Sequence, residues 1–154
     1  MDVDGTLTDG QIYMSASGEL MKAFNVKDGY AIANQLPKCD IIPVIITGRK
    51  SDIVKNRAAE LKITEVHQGN SDKLAKLKEI AAEYNAAPEE IAYIGDDTND
   101  LDCIAYCGVT ACPADAMDEV IAAVDYVCSH DGGHGAVRDF IKWLIYNYEI
   151  IHKA

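Results

Sequence analysis

The sequence predicts an α/β protein, a three-layer, Rossmann-like parallel sheet with helices on both faces, forming one domain over residues 1–154. Three observations carry this prediction. Helical and strand patterns alternate along most of the chain, with turns between them and neither internal repeats nor low-complexity sequence. Residues with chemical potential gather just beyond the predicted strands, at the edge where open α/β sheets bind ligands. The one break in the alternation is a small protruding β-hairpin at about residues 10–25, directly after an acidic opening stretch.

Composition narrows the class. With 154 residues, 49% hydrophobic and 25% charged, the chain has room for a core. Its 14 Lys+Arg against 25 Asp+Glu leave a net charge of −11, which disfavours nucleic acid and anionic membranes as partners. No apolar run approaches a membrane span and no leader pattern precedes the first motif, so the expectation is a cytoplasmic protein. The five cysteines, Cys39, Cys103, Cys107, Cys112 and Cys128, are odd in number and scattered, and read as buried thiols rather than a disulfide framework or a thiolate metal site.

In chain order, Asp2 and Asp4 flank Val3 where a strand runs into the Gly5 turn. In an extended segment alternate side chains share a face, so both carboxylates are expected to point the same way. Such a pair repels unless a cation is shared or one member is protonated. Gln11 to Met14 and Glu19 to Phe24 form the hairpin around Ser15–Gly18. Asp28 and Gly29 open a short helix that Pro37 ends, and Ile41 to Ile46 is a buried strand delivering Thr47-Gly48-Arg49.

Ser51 caps a helix carrying Ile53, Val54, Arg57, Ala58 and Leu61 on one face. Ile63 to His67 form a strand that empties into Gln68-Gly69-Asn70-Ser71-Asp72-Lys73, and a long helix follows with Leu74, Leu77, Ala81 and Tyr84 facing the core. Strand Ile91–Ile94 ends in Gly95-Asp96-Asp97-Thr98-Asn99-Asp100. A short helix through Ile104 to Tyr106, a strand at Val109–Cys112, a helix around Met117–Ala123 and a strand at Tyr126–Cys128 come next. The loop Ser129–Gly135 and an aromatic-rich helix (Val137, Phe140, Ile141, Leu144, Ile145, Tyr148) close the chain.

Residue type assigns roles at the sheet edge. Converging carboxylates from Asp2, Asp4 and the Asp96/Asp97/Asp100 run call for a hard divalent cation, and oxygen ligands suit Mg²⁺. The Thr47 hydroxyl, the backbone at Gly48 and the Lys73 ammonium fit a phosphate beside that metal. A carboxylate held there can attack phosphorus, and a second one two residues on can serve as acid and base.

Asp2-Val-Asp4-Gly-Thr, Thr47-Gly, Lys73 and Gly95-Asp96-Asp97-x-x-Asp100 resemble the four motifs of the haloacid dehalogenase superfamily of phosphatases, a match spanning nearly the whole chain. The resemblance implies Asp2 as nucleophile, Asp4 as acid/base, and Thr47 and Lys73 as phosphate ligands. It also implies Mg²⁺ held by Asp2, Asp96 and the Asp4 carbonyl, with Asp97 and Asp100 supporting the metal from outside. The intervals 47 − 2 = 45 and 73 − 47 = 26 leave no room for a cap domain.

Thr8-Asp9-Gly10, Gln68-Gly69-x-Ser71-Asp72-Lys73 and Gly132-Gly133-x-Gly135-Ala136-Val137-Arg138 narrow the resemblance to capless, tetrameric sugar-acid phosphatases acting on 3-deoxy-D-manno-octulosonate 8-phosphate. That group implies a homotetramer assembled through the hairpins, a small-molecule sugar-acid phosphate as partner, and a place in lipopolysaccharide biosynthesis. Nonulosonate 9-phosphates are the alternative substrates, and a phosphorylated regulatory domain or a structural module is the alternative function. Arg49 and Arg57 are candidates for the substrate carboxylate, with surface charge as the other reading. His134 stands where that group usually carries Arg, and reads as a loop histidine with substrate contact left open. A buried strand ending at Asp2 requires apolar residues before it, so further residues are expected to precede Met1.

Overall fold

The computed structural model describes the backbone of residues 1–153 and the side chains of residues 1–147. Seven strands and six helices succeed one another in the alternation read from sequence. The hairpin is β1 (Tyr13–Ser15) and β2 (Gly18–Met21), shorter than expected, with Gly18 at φ +119° closing its turn. Met14, Leu20 and Met21 on it are exposed.

Helix α1 (Val26–Asn34) begins two residues before Asp28, because the Asn25 side chain accepts the Lys27 N–H and caps it there. A single 3₁₀ turn, Leu36–Cys39, carries Pro37. Strand β3 (Val44–Thr47) precedes α2 (Asp52–Glu60), whose N-terminal N–H of Val54 bonds to Ser51 as expected. Next come β4 (Glu65–Gln68) and α3 (Lys73–Glu83), capped by the Asp72 side chain. The rest is β5 (Ala92–Ile94), α4 (Leu101–Tyr106), β6 (Val109–Cys112), α5 (Asp118–Ile121), β7 (Tyr126–Val127) and α6 (Ala136–Lys153).

Strands β3 and β4 pair in parallel, as do β5, β6 and β7 in that order. The Met1–Val3 segment lies between the two sheets and joins them: the Ile46 N–H donates to the Met1 carbonyl, and the Asp2 N–H donates to the Ile94 carbonyl, both at 3.1 Å. Asp2 therefore leaves the middle of the layer.

Alternation along the strands sends neighbours to opposite faces. Ile45, Ile94 and Ala111 pack with α1, α2 and α6, whereas Ile46, Tyr93 and Cys112 pack with α3, α4 and α5. These are the two helical layers the sequence predicts. On α6, Val137, Phe140 and Ile141 are buried at helical spacing, and Trp143 stacks on Tyr126 at 4.8 Å between ring centres. Tyr148 lies outside the described side chains.

One expectation needs correction. Tyr84 ends α3 but is 44% exposed, its hydroxyl donating to Glu65 across 2.8 Å, while Ile80 takes the inward position. A phenol at a helix end can reach water and a carboxylate together, so burial gains it little. The cysteines are all free, with Cys103, Cys112 and Cys128 buried, and burial pushes their thiols up to about 11, 11 and 12. Such thiols are inert hydrophobes.

Candidate active site

The chain stops being extended at Val3, earlier than the Gly5 turn suggested. The Val3 carbonyl accepts N–H groups from Thr6, Leu7 and Thr8 at 3.2, 2.9 and 3.1 Å, curling the loop into a tight turn. Gly5 sits at φ +92°, where a Cβ would overlap the Asp96 carboxylate. The buried Thr8 hydroxyl pins the turn by accepting from the N–H groups of Gly5 and Gly10, each at 3.2 Å.

The turn begins between Asp2 and Asp4, so strand periodicity does not carry on to Asp4, and the two carboxylates have different partners. Asp2, 5% exposed, faces Lys73, whose Nζ lies 2.9 Å from Asp2 Oδ1 and 2.8 Å from Asp100 Oδ1. Lys73 is placed by opening α3 just after the β4 loop. Burial alone would lower its basicity, but the Asp2 and Asp100 carboxylates outweigh that and raise it, so the ammonium is secure.

Asp100 is completely buried and fully bonded. Its Oδ1 also accepts from the Tyr93 hydroxyl at 2.6 Å, and its Oδ2 accepts from the N–H groups of Asp96 and Asp97 at 3.1 and 3.3 Å. Gly95 leaves room for it, since a Cβ there would strike this carboxylate. Asp96 projects toward Asp2 and, among the described residues, its carboxylate accepts only the Thr6 hydroxyl, at 2.9 Å. Oxygens of Asp2, Asp96 and Asp100 all lie within 4.8 Å of one another.

Burial first, and the Asp2 charge second, push the Asp96 carboxyl up to about 7. Burial and the Asp100 charge likewise raise Asp2. Two carboxylates held together at that cost with oxygens to spare suit a divalent cation, and both oxygens of Asp100 are already committed to donors. The donor set fits Mg²⁺, with Asp2 and Asp96 as ligands and Asp100 as the group that orients Lys73 and the Asp96 backbone. Asp97 is exposed and turns to the Thr98 N–H at 2.6 Å, away from the cluster.

Asp4 belongs to a second network that the sequence did not reveal. Lys22, on the chain leaving β2, reaches back to the Asp4 carboxylate and lies 3.0 Å from Glu19; its side chain is 1% exposed. Arg49 approaches Asp4 at 3.8 Å and Glu19 at 3.9 Å, and the Ser51 hydroxyl donates to Glu19. Burial would lower Lys22, but its bonds to Asp4 and Glu19 raise it. The legible signal was a Glu and a Lys three apart in an otherwise exposed, apolar hairpin beside an acidic loop.

Thr47, 3% exposed, ends β3 opposite Gln68, and its carbonyl accepts the Asn70 N–H at 3.1 Å. Gly48 follows in the open. Arg57 is not drawn to the acidic cluster by any described contact: its guanidinium carbon sits 5.7 Å from the Phe24 ring centre, and Nη1 pairs with Glu60 at 2.8 Å. His134 is exposed, with Nδ1 2.8 Å from the Gly132 carbonyl.

The loop before α6 backs the acidic turn. The Gly133 N–H donates to the Thr6 carbonyl at 3.1 Å, and a Cβ on Gly132 would collide with the Gly5 carbonyl. Asp115 holds this loop through the Gly132 N–H at 2.9 Å.

The haloacid dehalogenase-like hydrolase family model matches residues 46–141. The 3-deoxy-D-manno-octulosonate 8-phosphate phosphatase of Escherichia coli K12 is 45% identical over 145 residues, covering 94% of this chain and 77% of that protein. The crystal structure of the corresponding phosphatase from Yersinia pestis superposes with a TM-score of 0.90 at 43% identity, covering 94% of this chain and 78% of the other. The Moraxella catarrhalis phosphatase, solved with magnesium ion, phosphate ion and a KDO molecule, gives a TM-score of 0.91 at 38% identity over 95% of this chain and 83% of that one.

Proposed function

This chain belongs to the haloacid dehalogenase-like hydrolases, and from that membership we propose a single-domain, Mg²⁺-dependent phosphatase of a sugar-acid phosphate, of the 3-deoxy-D-manno-octulosonate 8-phosphate type. One observation carries the reading: a buried lysine bridges two carboxylates at the sheet edge while a third carboxylate, Asp96, stands beside them with an oxygen to spare. The likeness to phosphatases of that substrate supports the substrate class.

In this mechanism Asp2 attacks phosphorus, the ester P–O bond breaks, and an aspartyl-phosphate forms. Asp4 protonates the departing sugar oxygen, then takes a proton from the water that hydrolyses the acyl phosphate. Lys73 holds the Asp2 carboxylate at 2.9 Å and offers positive charge to the phosphoryl oxygens. The Thr47 hydroxyl and the Gly48 backbone receive those oxygens from the β3 end. Asp2, Asp96 and the Asp4 carbonyl would hold Mg²⁺, with Asp100 supporting them by orienting Lys73 and the Asp96 backbone, and the bound ion would supply charge neutralisation.

Arg49, 47% exposed beside Asp4, is suited to the substrate carboxylate. The protein so proposed is a cytoplasmic homotetramer, and the exposed Met14, Leu20 and Met21 of the hairpin support self-assembly there. Phosphate release with Mg²⁺ from octulosonate 8-phosphate, compared with a nonulosonate 9-phosphate, tests the reading. The first is expected to be the better substrate, and Asp2→Asn is expected to be inactive. Full turnover in Asp2→Asn would overturn the nucleophile.

A further inference from the structure

Asp28 lies far from the acidic cluster in sequence and takes no part in the proposed chemistry, yet it is 1% exposed. Its Oδ1 accepts the Arg138 N–H at 2.7 Å, at the start of α6. Its Oδ2 is buried and has no hydrogen-bond partner among the described residues. The same is true of Arg57 Nε.

Both residues line one small cavity between α1 and α2, of about 10 Å³ accessible to water. That is room for a single water molecule. The Arg57 side chain is seated there, with Phe24 beneath it and Gly29 against it, where a Cβ would overlap the guanidinium. Buried polar atoms left without partners are costly, and one water in that cavity would offer a partner to both Asp28 Oδ2 and Arg57 Nε.

The same carboxylate anchors the loop that backs the acidic turn. From Asp28 the connection runs to Arg138 at the start of α6, then back along the preceding loop to Gly132 and Gly133, which meet Gly5 and Thr6, the latter bonded to Asp96. We propose that Asp28 is a positioning residue for the acidic turn, and that it shares one buried water with Arg57 in the cavity between α1 and α2. This rests on the phosphatase reading only for its kinetic consequence, since the water and the anchored loop are properties of the fold.

The test is kinetic and structural together. Asp28→Ala is expected to lower kcat by about tenfold to a hundredfold, the scale of a small misplacement of reacting groups, with KM nearly unchanged. Asp28→Asn keeps an acceptor for the Arg138 N–H and is expected to recover most of that loss. Arg57→Met is expected to lower kcat modestly and leave KM alone. A high-resolution crystal structure of the unaltered protein is expected to show one water between Asp28 and Arg57, and hydrogen exchange at residues 129–135 is expected to quicken in Asp28→Ala.

A dry cavity, or a KM increase at constant kcat in Arg57→Met, would overturn the shared water. Unchanged kcat and unchanged exchange in folded Asp28→Ala would overturn the positioning role. Failure of the phosphatase reading itself would appear as an inactive unaltered protein, leaving the water and exchange measurements to decide.

Discussion

Two lysines stand on either side of the opening turn, and they make unlike sites. On one side Lys73 sits among Asp2, Asp100 and Tyr93, built from strand ends and helix starts of the central layer and nearly sealed from water. On the other, Lys22 joins Asp4, Glu19 and the half-exposed Arg49, built from the hairpin and open at its rim. Asp2 and Asp4 are two residues apart, yet burial and the Asp100 charge raise one carboxyl, and the other rests on a salt-bridged lip. In the proposed mechanism it is environment, more than residue type, that divides the labour between a nucleophile and an acid/base.

The largest expected effect separates the two carboxylates directly. Asp2→Asn is expected to lose turnover by three or more orders of magnitude, about what removal of a covalent nucleophile costs. Asp4→Asn removes proton transfer alone and is expected to lose about 10²- to 10⁴-fold, with phosphoenzyme formation outpacing its hydrolysis in rapid quench. Equal losses without a phosphoenzyme in either variant would erase the distinction.

Removing each lysine comes next. Lys73→Met strands Asp2 and Asp100 together in the interior and is expected to destabilise the metal-free protein by about 3–5 kcal/mol in urea unfolding. Lys22→Met leaves Asp4 and Glu19 beside water and Arg49, so its cost is expected near 1 kcal/mol. Comparable losses would show that the two networks are equally buried in solution.

Acidity sharpens the contrast further. Asp96 binds its proton more tightly in the folded state than in the unfolded one, so the metal-free protein is expected to lose stability as pH rises from about 4 to about 7. Mg²⁺ must displace that proton, so its affinity by calorimetry is expected to rise about tenfold per pH unit below about 7 and to level off above. The smallest effect belongs to Asp97→Asn, which is expected to change kcat by no more than about twofold because the side chain faces Thr98 and solvent.

Much of the layout was readable from local pattern. Ser51 caps its helix as a short polar side chain before a helical run should, and Lys73 opens α3 where its ammonium can reach back over the strand ends. The strand exits at Thr47 and Gly95 lay where hydrophobic runs met glycine. Each depends on bonds spanning three or four residues. Lys22 against Asp4 and Tyr93 against Asp100 were not readable, because nothing near either residue names its partner.

By itself, then, the sequence determined the alternating layers, the capless spacing and the set of polar groups delivered to one edge of the sheet, since periodicity and capping are local physics. Tertiary structure alone decided which carboxylate each lysine holds. Lys22 reaches Asp4 from the hairpin, Lys73 reaches Asp2 from the start of α3, and Asp28 meets the start of α6 across 110 positions of chain. Contacts between residues so far apart in sequence are set by how loops fold back upon one another, and desolvation then fixes what each charge can do.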